Sequence, residues 1–459
     1  MKYALEEYKG DNEKLLQLLV TVDDAARKSE LVANLRDSGE LFYPLAWSAK
    51  EALVFLREIT IYEEAGILCR IPNWWKKKSA AITIQISIGE KPPSMVGMDA
   101  LLDFSPRLMI GETEISAEEA RRLLSESEGL AFLKNKWVAV DPEKLRQTLE
   151  VFAKAGELNP EEGITLLDAM RWTMNPRKLL GDAADIAGIS HGEWLRTVFA
   201  RLQRPETMPK VKSSGSFKAR LRRYQQDGLN WLFSLHRMRL GACLADDMGL
   251  GKTVQILAFL DAIKSEVKKG RKTTASLLII PASLLANWVS EIENFAPGLS
   301  FFVAHPDFHR PGPVPSLSQE LLAGLDLVIT TYGLAQRNEW IQQNAWNYVI
   351  LDEAQAIKNP GTKQTRAVKK ISARNRIVMT GTPVENRLSD LWSLFDFINP
   401  GLLGNSKEFG DFSKRLADNP NGYAGLRRAA SPFILRRLKT DKSIISDLPD
   451  KVEAKPGLP

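Results

Sequence analysis

Cysteine, histidine and long apolar runs are what this sequence has least of. Among 459 residues there are 2 cysteines and 4 histidines. Cys69 and Cys243 stand far apart, which excludes a disulfide-built scaffold and a cysteine-rich zinc site. Such usage suits a reduced cytoplasm. The longest apolar stretches, such as LLII at 277–280, fall far short of the ~20 residues that a membrane-spanning helix needs, so no membrane partner is expected. The first residues, MKYALEEYKGDNEKLL, carry acids where a secretion signal needs a basic region followed by an apolar one. Internal repeats and low-complexity tracts are also missing, which excludes solenoid and fibrous architectures.

What remains is the composition of a globular protein, 44% hydrophobic and 26% charged, long enough for two or three domains with their own cores. A net charge of +6 is too mild to name a partner by itself; only its local clustering can. The chain changes character near residue 205. Residues 1–204 mix strand-like and helical stretches and read as an α+β accessory domain. Ala81-Ile-Thr-Ile-Gln-Ile-Ser-Ile88 alternates as a strand exposed on one face does, and Ser116-Ala-Glu-Glu119 reads as a capping box opening a helix. Residues 205–218, PETMPKVKSSGSFK, have the composition of an exposed linker. Beyond them, ACLA at 242–245, LLII at 277–280, LVIT at 327–330, YVIL at 348–351 and IVMT at 377–380 suit strands buried on both faces. Helical stretches separate most of them. The expected fold of 219–431 is therefore α/β, a parallel sheet flanked by helices.

Directly after ACLA comes Asp246-Asp247-Met248-Gly249-Leu250-Gly251-Lys252-Thr253, then a helix-like run from Val254 to Lys269 closed by Gly270. Strand, glycine turn and helix is the order that a phosphate loop needs. Gly249 and Gly251 let backbone N–H groups approach an anion at the helix N-terminus, Lys252 meets the outer phosphates, and the Thr253 hydroxyl is suited to Mg²⁺. Asp246 stands where the general GxxxxGK[ST] pattern has its first glycine. Asp352 and Glu353 follow YVIL, at the carboxyl end of that strand, where ligands bind in open α/β sheets. One carboxylate can position Mg²⁺ while the other polarises an attacking water. Alone, such a pair would read as a helix N-cap; with the loop it reads as the second half of a site.

These segments, with others in the same order, resemble the first RecA-like lobe of Swi/Snf-type DNA translocases, a P-loop NTPase lobe within the superfamily-two helicases (DEAD/DEAH-like). Leu221-Arg-Arg-Tyr-Gln-Gln-Asp-Gly-Leu-Asn-Trp231 resembles the adenine-reading segment, with Gln225 in the position of its glutamine. LADDMGLGKTVQ resembles the family's phosphate loop, acidic residue included. Pro281-Ala-Ser-Leu-Leu-Ala-Asn-Trp288 resembles a loop touching the nucleic-acid backbone, through Asn287, and Asp326-Leu-Val-Ile-Thr-Thr-Tyr332 a further backbone-contacting strand end, through Thr330 and Thr331. Thr380-Gly-Thr-Pro-Val-Glu-Asn386 resembles the motif coupling hydrolysis to DNA, with Thr380, Gly381 and Thr382 at its start. Gln355, where the family commonly has His, belongs to the same relay and keeps a donor and an acceptor. Pro432-Phe-Ile-Leu-Arg-Arg-Leu-Lys439 and Leu448-Pro-Asp-Lys451 resemble the start of the interlobe segment, 432–459, with the second lobe absent.

The resemblance implies an ATP-binding lobe of a DNA-dependent ATPase that uses Mg²⁺, moves on double-stranded DNA and is completed by a second RecA-like lobe in cis or trans. It also implies a bacterial cytoplasm or nucleoid, because Val96–Phe104 and Phe132–Val140 are similar to a region ahead of the motor in bacterial members. The alternative is a hydrolysis-deficient single lobe that binds nucleic acid or a partner; that module would not need Glu353, whereas the motor would. Weaker signals take plainer readings. Lys210, Lys212, Lys218, Arg220, Arg222 and Arg223 form a basic cluster that reads first as a solvated linker end and second as a phosphate track. Trp74-Trp75-Lys-Lys-Lys78 reads as buried rings with a lysine rim. His305 and His309 flank Pro306 without a third ligand and read as a metal-free loop pair.

Overall fold

A computed structural model describes residues 12–71, 82–110, 113–126, 129–134, 136–157, 164–174, 187–266, 274–309, 312, 314–382, 388–417 and 423–441. The tryptophan-lysine run at 74–78, Gly270, the 383–386 part of the coupling motif and the 448–451 segment lie outside the described residues.

The chain divides into two compact units that interleave in sequence. The first comprises Met1–Ser87, Ser105–Pro160 and Arg177–Ser190. Its helices Asn12–Lys28, Glu30–Asp37, Ala49–Arg57 and Ile59–Glu64 gather two apolar clusters, one around Ala25, Val32 and Tyr62, the other around Leu53, Leu56, Ile59 and Leu130. Four strands, β1 (Ile82–Ile88), β3 (Phe104–Ile110), β4 (Thr113–Ile115) and β8 (Ala187–His191), form a sheet of order β4-β3-β1-β8. β1 is thus flanked on both sides. Ile82, Ile84, Ile86 and Ile88 are buried as their alternation requires, and Ser87 on the other face is buried too, so β1 is more covered than a strand open on one face. The capping box is present: the Ser116 N–H donates to Glu119 at 2.7 Å, and the Glu119 N–H donates to the Ser116 hydroxyl at 3.0 Å. A hairpin of β5 (Leu130–Leu133) and β6 (Lys136–Ala139) completes the strands of this unit.

The second unit comprises Ile88–Phe104, Glu161–Pro176 and His191–Pro459. Its centre is a seven-stranded sheet of β9 (Ala242–Leu244), β10 (Ser276–Ile280), β11 (Phe301–Val303), β12 (Leu327–Thr331), β13 (Trp346–Leu351), β14 (Ala373–Met379) and β15 (Ile434–Leu435). The order is β11-β12-β10-β13-β14-β9-β15, and every pairing is parallel. Every residue of β9, β10 and β12 is buried, the reason their sequences are continuous apolar runs rather than alternating ones. The helix Lys252–Glu266 is buried from Gln255 to Ile263, all round rather than along one stripe. A parallel sheet leaves all strand carboxyl ends on one edge, so the loops after β9, β10, β12, β13, β14 and β15 open on the same side.

Segments ahead of residue 205 also belong to this unit. β2 (Leu101–Leu102) pairs with β7 (Ile164–Thr165), and Arg171 on the helix Leu166–Met174 donates to the Gly401 carbonyl at 2.6 Å. Gln203 reaches Ser431 at 2.9 Å. Residues 205–218, expected as an exposed linker, are mostly exposed and are also tied along the unit by hydrogen bonds. Ser214 donates its N–H to Asp261 at 2.7 Å and also gives Asp261 its hydroxyl, while the Val211 N–H donates to Asn230 at 2.9 Å. Asp261 is 1% exposed, so Ser214 and Ser216, which look like linker composition, satisfy a buried carboxylate.

Candidate functional site

The phosphate-loop segment leaves β9 at its carboxyl end and enters the helix at Lys252. Gly249 and Gly251 have φ of +82° and +74°, the left-handed region that favours glycine. A Cβ at Gly249 would lie 2.9 Å from Lys439 Nζ, and one at Gly251 would lie 2.5 Å from Gln225 Nε2, so the backbone is approached closely at both positions. Leu250 is buried between them and Met248 is exposed at the tip, packed toward Gly381. Lys252 Nζ donates to the Asp246 carbonyl at 2.7 Å and lies 3.4 Å from that of Asp247, which holds the ammonium inside the curl of the loop. The Thr253 hydroxyl is half-buried and has no hydrogen-bonding partner among the described residues.

Two strands away, β13 delivers Asp352 and Glu353. Asp352 is 8% exposed; its Oδ2 accepts from Trp288 Nε1 at 2.9 Å and its Oδ1 accepts the Glu353 N–H at 2.9 Å. Glu353 is half-buried and has a left-handed backbone, φ +50°, a conformation a non-glycine residue adopts at some cost. Burial pushes the Asp352 carboxyl above the usual carboxylate range, against the hydrogen bonds from Trp288 and Glu353 that favour its charged form. Burial likewise lowers Lys252, opposed by attraction from Asp246, Glu353, Asp352 and Asp247. The two sequence-distant halves follow the carboxyl ends of strands two apart in one parallel sheet, and so open on the same edge.

β14, lying between, is followed by Thr380, which is fully buried and donates to Gln355 Oε1 at 3.4 Å; the Thr382 N–H donates to the Thr380 hydroxyl at 3.2 Å. Gln355, Thr380, Gly381 and Thr382 are thus joined to the acidic loop. Four of the expected site residues have partners within the chain. Asp246 is 0% exposed and its carboxylate is engaged by Arg437 and Gln255, so its side chain is turned away from the loop's open side. Gln225 is 8% exposed; its amide donates to the Leu250 carbonyl at 3.2 Å and accepts the Arg222 N–H at 2.9 Å, bracing the loop from beneath. Thr330 is 0% exposed and donates to the Ala304 carbonyl, and Thr331 caps the helix Tyr332–Arg337, so both hydroxyls are hydrogen-bonded within the chain. Asn287 is exposed beside Glu291. All six residues of the basic cluster, Lys210 to Arg223, are exposed.

Trp288, Tyr332, Gln255 and Arg437 were not singled out from sequence. Trp288 and Tyr332 close the two segments assigned to nucleic acid, yet both turn inward, Tyr332 donating to the Asp352 carbonyl at 2.7 Å. Cys243 lies in the β9 core, where burial pushes its thiol up to about 12, and His309 Nε2 donates to the Val303 carbonyl of its own loop, 2.6 Å away. Among the described residues no group of three or more His, Cys, Asp or Glu is arranged to hold a metal.

With this geometry in place, comparison with known proteins is decisive. A family profile described as "SNF2-related domain" matches residues 224–457. The chain belongs to the SNF2-related family. A second profile, described as "SNF2 Helicase protein", matches residues 40–174 in the SNF2-related chain. The Bacillus subtilis (strain 168) protein named as the ATP-dependent helicase/translocase YwqA is 35% identical over 432 residues, 90% of this chain and 45% of its own length. The Saccharomyces cerevisiae TATA-binding protein-associated factor MOT1 is 36% identical over 282 residues, 56% of this chain and 15% of its own. The SNF2-related chain thus spans less than half the length of these relatives. The Sulfolobus solfataricus SWI2/SNF2 ATPase core solved with double-stranded DNA shares 42% identity over 53% of this chain and 50% of that one, with a TM-score of 0.47.

Proposed function

We propose that residues 219–431 form the ATP-binding lobe of a DNA-dependent ATPase that moves on duplex DNA when a second RecA-like lobe, in cis or trans, closes over the nucleotide. One observation carries this reading: Lys252 sits in a glycine-lined curl at a helix N-terminus, at the same edge of the parallel sheet where β13, two strands away, delivers Asp352 and Glu353. The residues fit ATP and Mg²⁺ by their chemistry. Two glycines keep the loop backbone open to an anion, a free hydroxyl stands at Thr253, and a hard carboxylate donor stands at Asp352. Mg²⁺ at Thr253 and Asp352 would offset the charge of the outer phosphates.

The chain's own residues then have distinct tasks. Lys252 leaves the Asp246 carbonyl to meet the outer phosphates. Trp288 holds Asp352 in one orientation. Glu353 polarises the attacking water, and Gln355 with Thr380 passes the state of the site to 381–386. Duplex DNA as the track is supported by the motif order and by the helicase/translocase name of the Bacillus relative. Asn287 and the exposed basic cluster are the residues placed to meet phosphates; residues 1–204 act as an accessory region.

Steady-state hydrolysis of ATP by this chain, with and without duplex DNA, tests the reading. DNA-stimulated turnover that falls at least ~100-fold in Glu353→Gln is the expected outcome. Absent turnover, with Mg²⁺-dependent ATP binding that Lys252→Ala removes, would instead establish a lobe that binds without hydrolysing.

A further inference from the structure

The position at which the general phosphate loop carries glycine holds a buried aspartate, and that aspartate has a single dominant partner far along the chain. Arg437 follows β15 and is 6% exposed. Its Nε donates to Asp246 Oδ1 at 2.8 Å, its backbone N–H donates to the same oxygen at 3.1 Å, and its Nη2 donates to Asp246 Oδ2. Nη2 also donates to Gln255 Oε1 at 2.7 Å, and Nη1 donates to the Tyr224 carbonyl. Gln255 in turn donates to Asp246 Oδ2 at 3.2 Å and lies 3.3 Å from the Gly251 carbonyl. One guanidinium therefore gathers the loop entry, the first turn of the loop's helix and the first turn of the helix Arg223–Arg237. Gly228 makes room for it, since a Cβ there would strike Gln255 Oε1 and lie 2.9 Å from Arg437 Nη2.

The same residue ties the loop to the segment leaving the lobe. The Ala245 N–H donates to the Leu435 carbonyl at 2.7 Å, the Asp247 N–H donates to the Arg437 carbonyl at 3.0 Å, and the Lys439 N–H donates to Asp247 Oδ2 at 2.9 Å. Asp246 is the hinge of the arrangement: its side chain belongs to Arg437, while its carbonyl holds Lys252 Nζ at 2.7 Å. Any shift of Lys252 toward a phosphate is felt at Asp246, and through it at 435–439.

We propose that Arg437 is a positioning residue that sets the phosphate loop through Asp246 and couples nucleotide occupancy to the outgoing segment Leu435–Lys439. This rests on the nucleotide reading of the site. By linkage, the coupling runs both ways, so the conformation of the outgoing segment also sets nucleotide affinity. Lysine cannot replace the planar fork that serves Asp246, Gln255 and Tyr224 together, although it keeps the buried charge paired.

The test measures Mg-ADP affinity by calorimetry and amide exchange over 434–441 by mass spectrometry, in the full chain and in Arg437→Lys. Mg-ADP is expected to protect 434–441 in the parent chain; in Arg437→Lys, affinity falls at least ~10-fold and this protection is lost while the protein stays folded. A purely structural arginine would lower thermal stability without moving either readout. Should the single variant fail to fold, the neutral pair Asp246→Asn with Arg437→Gln removes the buried charges together and carries the same expectation. Affinity within twofold of the parent, in whichever variant folds, or unchanged exchange at 434–441 on Mg-ADP binding, overturns the inference alone. A parent chain that does not bind Mg-ADP overturns the nucleotide reading and this inference with it.

Discussion

Asp352, buried, and His191, half-buried, are ionisable side chains with opposite consequences for stability. Burial raises the Asp352 carboxyl above its ordinary value, so its favourable contribution is present below that ordinary value and is lost as pH rises through the raised one. At neutral pH the ionised group works against folding. Asp352→Asn is therefore expected to raise Tm by a few degrees in a thermal scan while hydrolysis disappears, because sites shaped for function hold back stability. A lowered Tm would mean that the bonds from Trp288 and Glu353 outweigh burial. For His191 the sign reverses. Burial, helped by Arg428, depresses the imidazole to about 4, and Thr173 lies 3.2 Å from its Nε2. The neutral ring stabilises the fold above its ordinary value of 6.5, and that contribution is lost as pH falls toward about 4. In denaturant titrations, His191→Gln should flatten the loss of stability across that interval; an unchanged slope would assign the acid sensitivity to other groups.

At the scale of elements, the strap 205–218 invites a direct experiment. Asp261 accepts from Ser214 twice and from Ser216 at 3.3 Å, all from within a buried carboxylate. Asp261→Ala leaves these donors without an acceptor and should cost about 1–3 kcal/mol, with faster proteolysis near 209–218. Unchanged cleavage there would show that Asn230, Gln226 and the Phe295 carbonyl secure the strap without Asp261. The same segment shows why parts of the fold were illegible. Its residue types mark a linker by composition, and partners such as Asp261, 47 positions away, make it an ordered strap. β10, β12 and β13 could be read directly, because burial on both faces writes itself as unbroken Leu, Ile and Val. β15 is two residues long and offers no periodicity; it exists as a strand because it pairs with β9. The loop around Lys252 was legible for the reverse reason: its glycines and lysine act within eight adjacent residues. Trp288 and Arg437 were missed because each works on a partner that local spacing does not reveal, 64 and 191 positions away.

At the scale of the whole molecule, the chain holds two compact units, each with its own buried apolar residues. Its unfolding is expected in two steps rather than one. Mg-ADP at one hundred times its Kd should stabilise one of those steps by about 2.7 kcal/mol and leave the other in place. Calorimetry resolves the two; a single transition that moves as a whole would show that they unfold together. The interleaving itself was hidden from sequence: residues 88–104, 161–176 and 191–204 precede the strap yet belong to the second unit, where Leu101 and Leu102 pair with Thr165 and Ile164, Arg171 reaches Gly401 and Gln203 reaches Ser431. A last consequence concerns synthesis. The strand that leads into the phosphate loop has β14 on one side and β15 on the other, and Arg437 is made 191 residues after Asp246. At ribosomal speeds that interval is roughly 10–40 s. Throughout it the flank of β9 is an open template for a stray strand and Asp246 lacks its counter-ion, so the nascent lobe stays a client for chaperones until its final strand emerges.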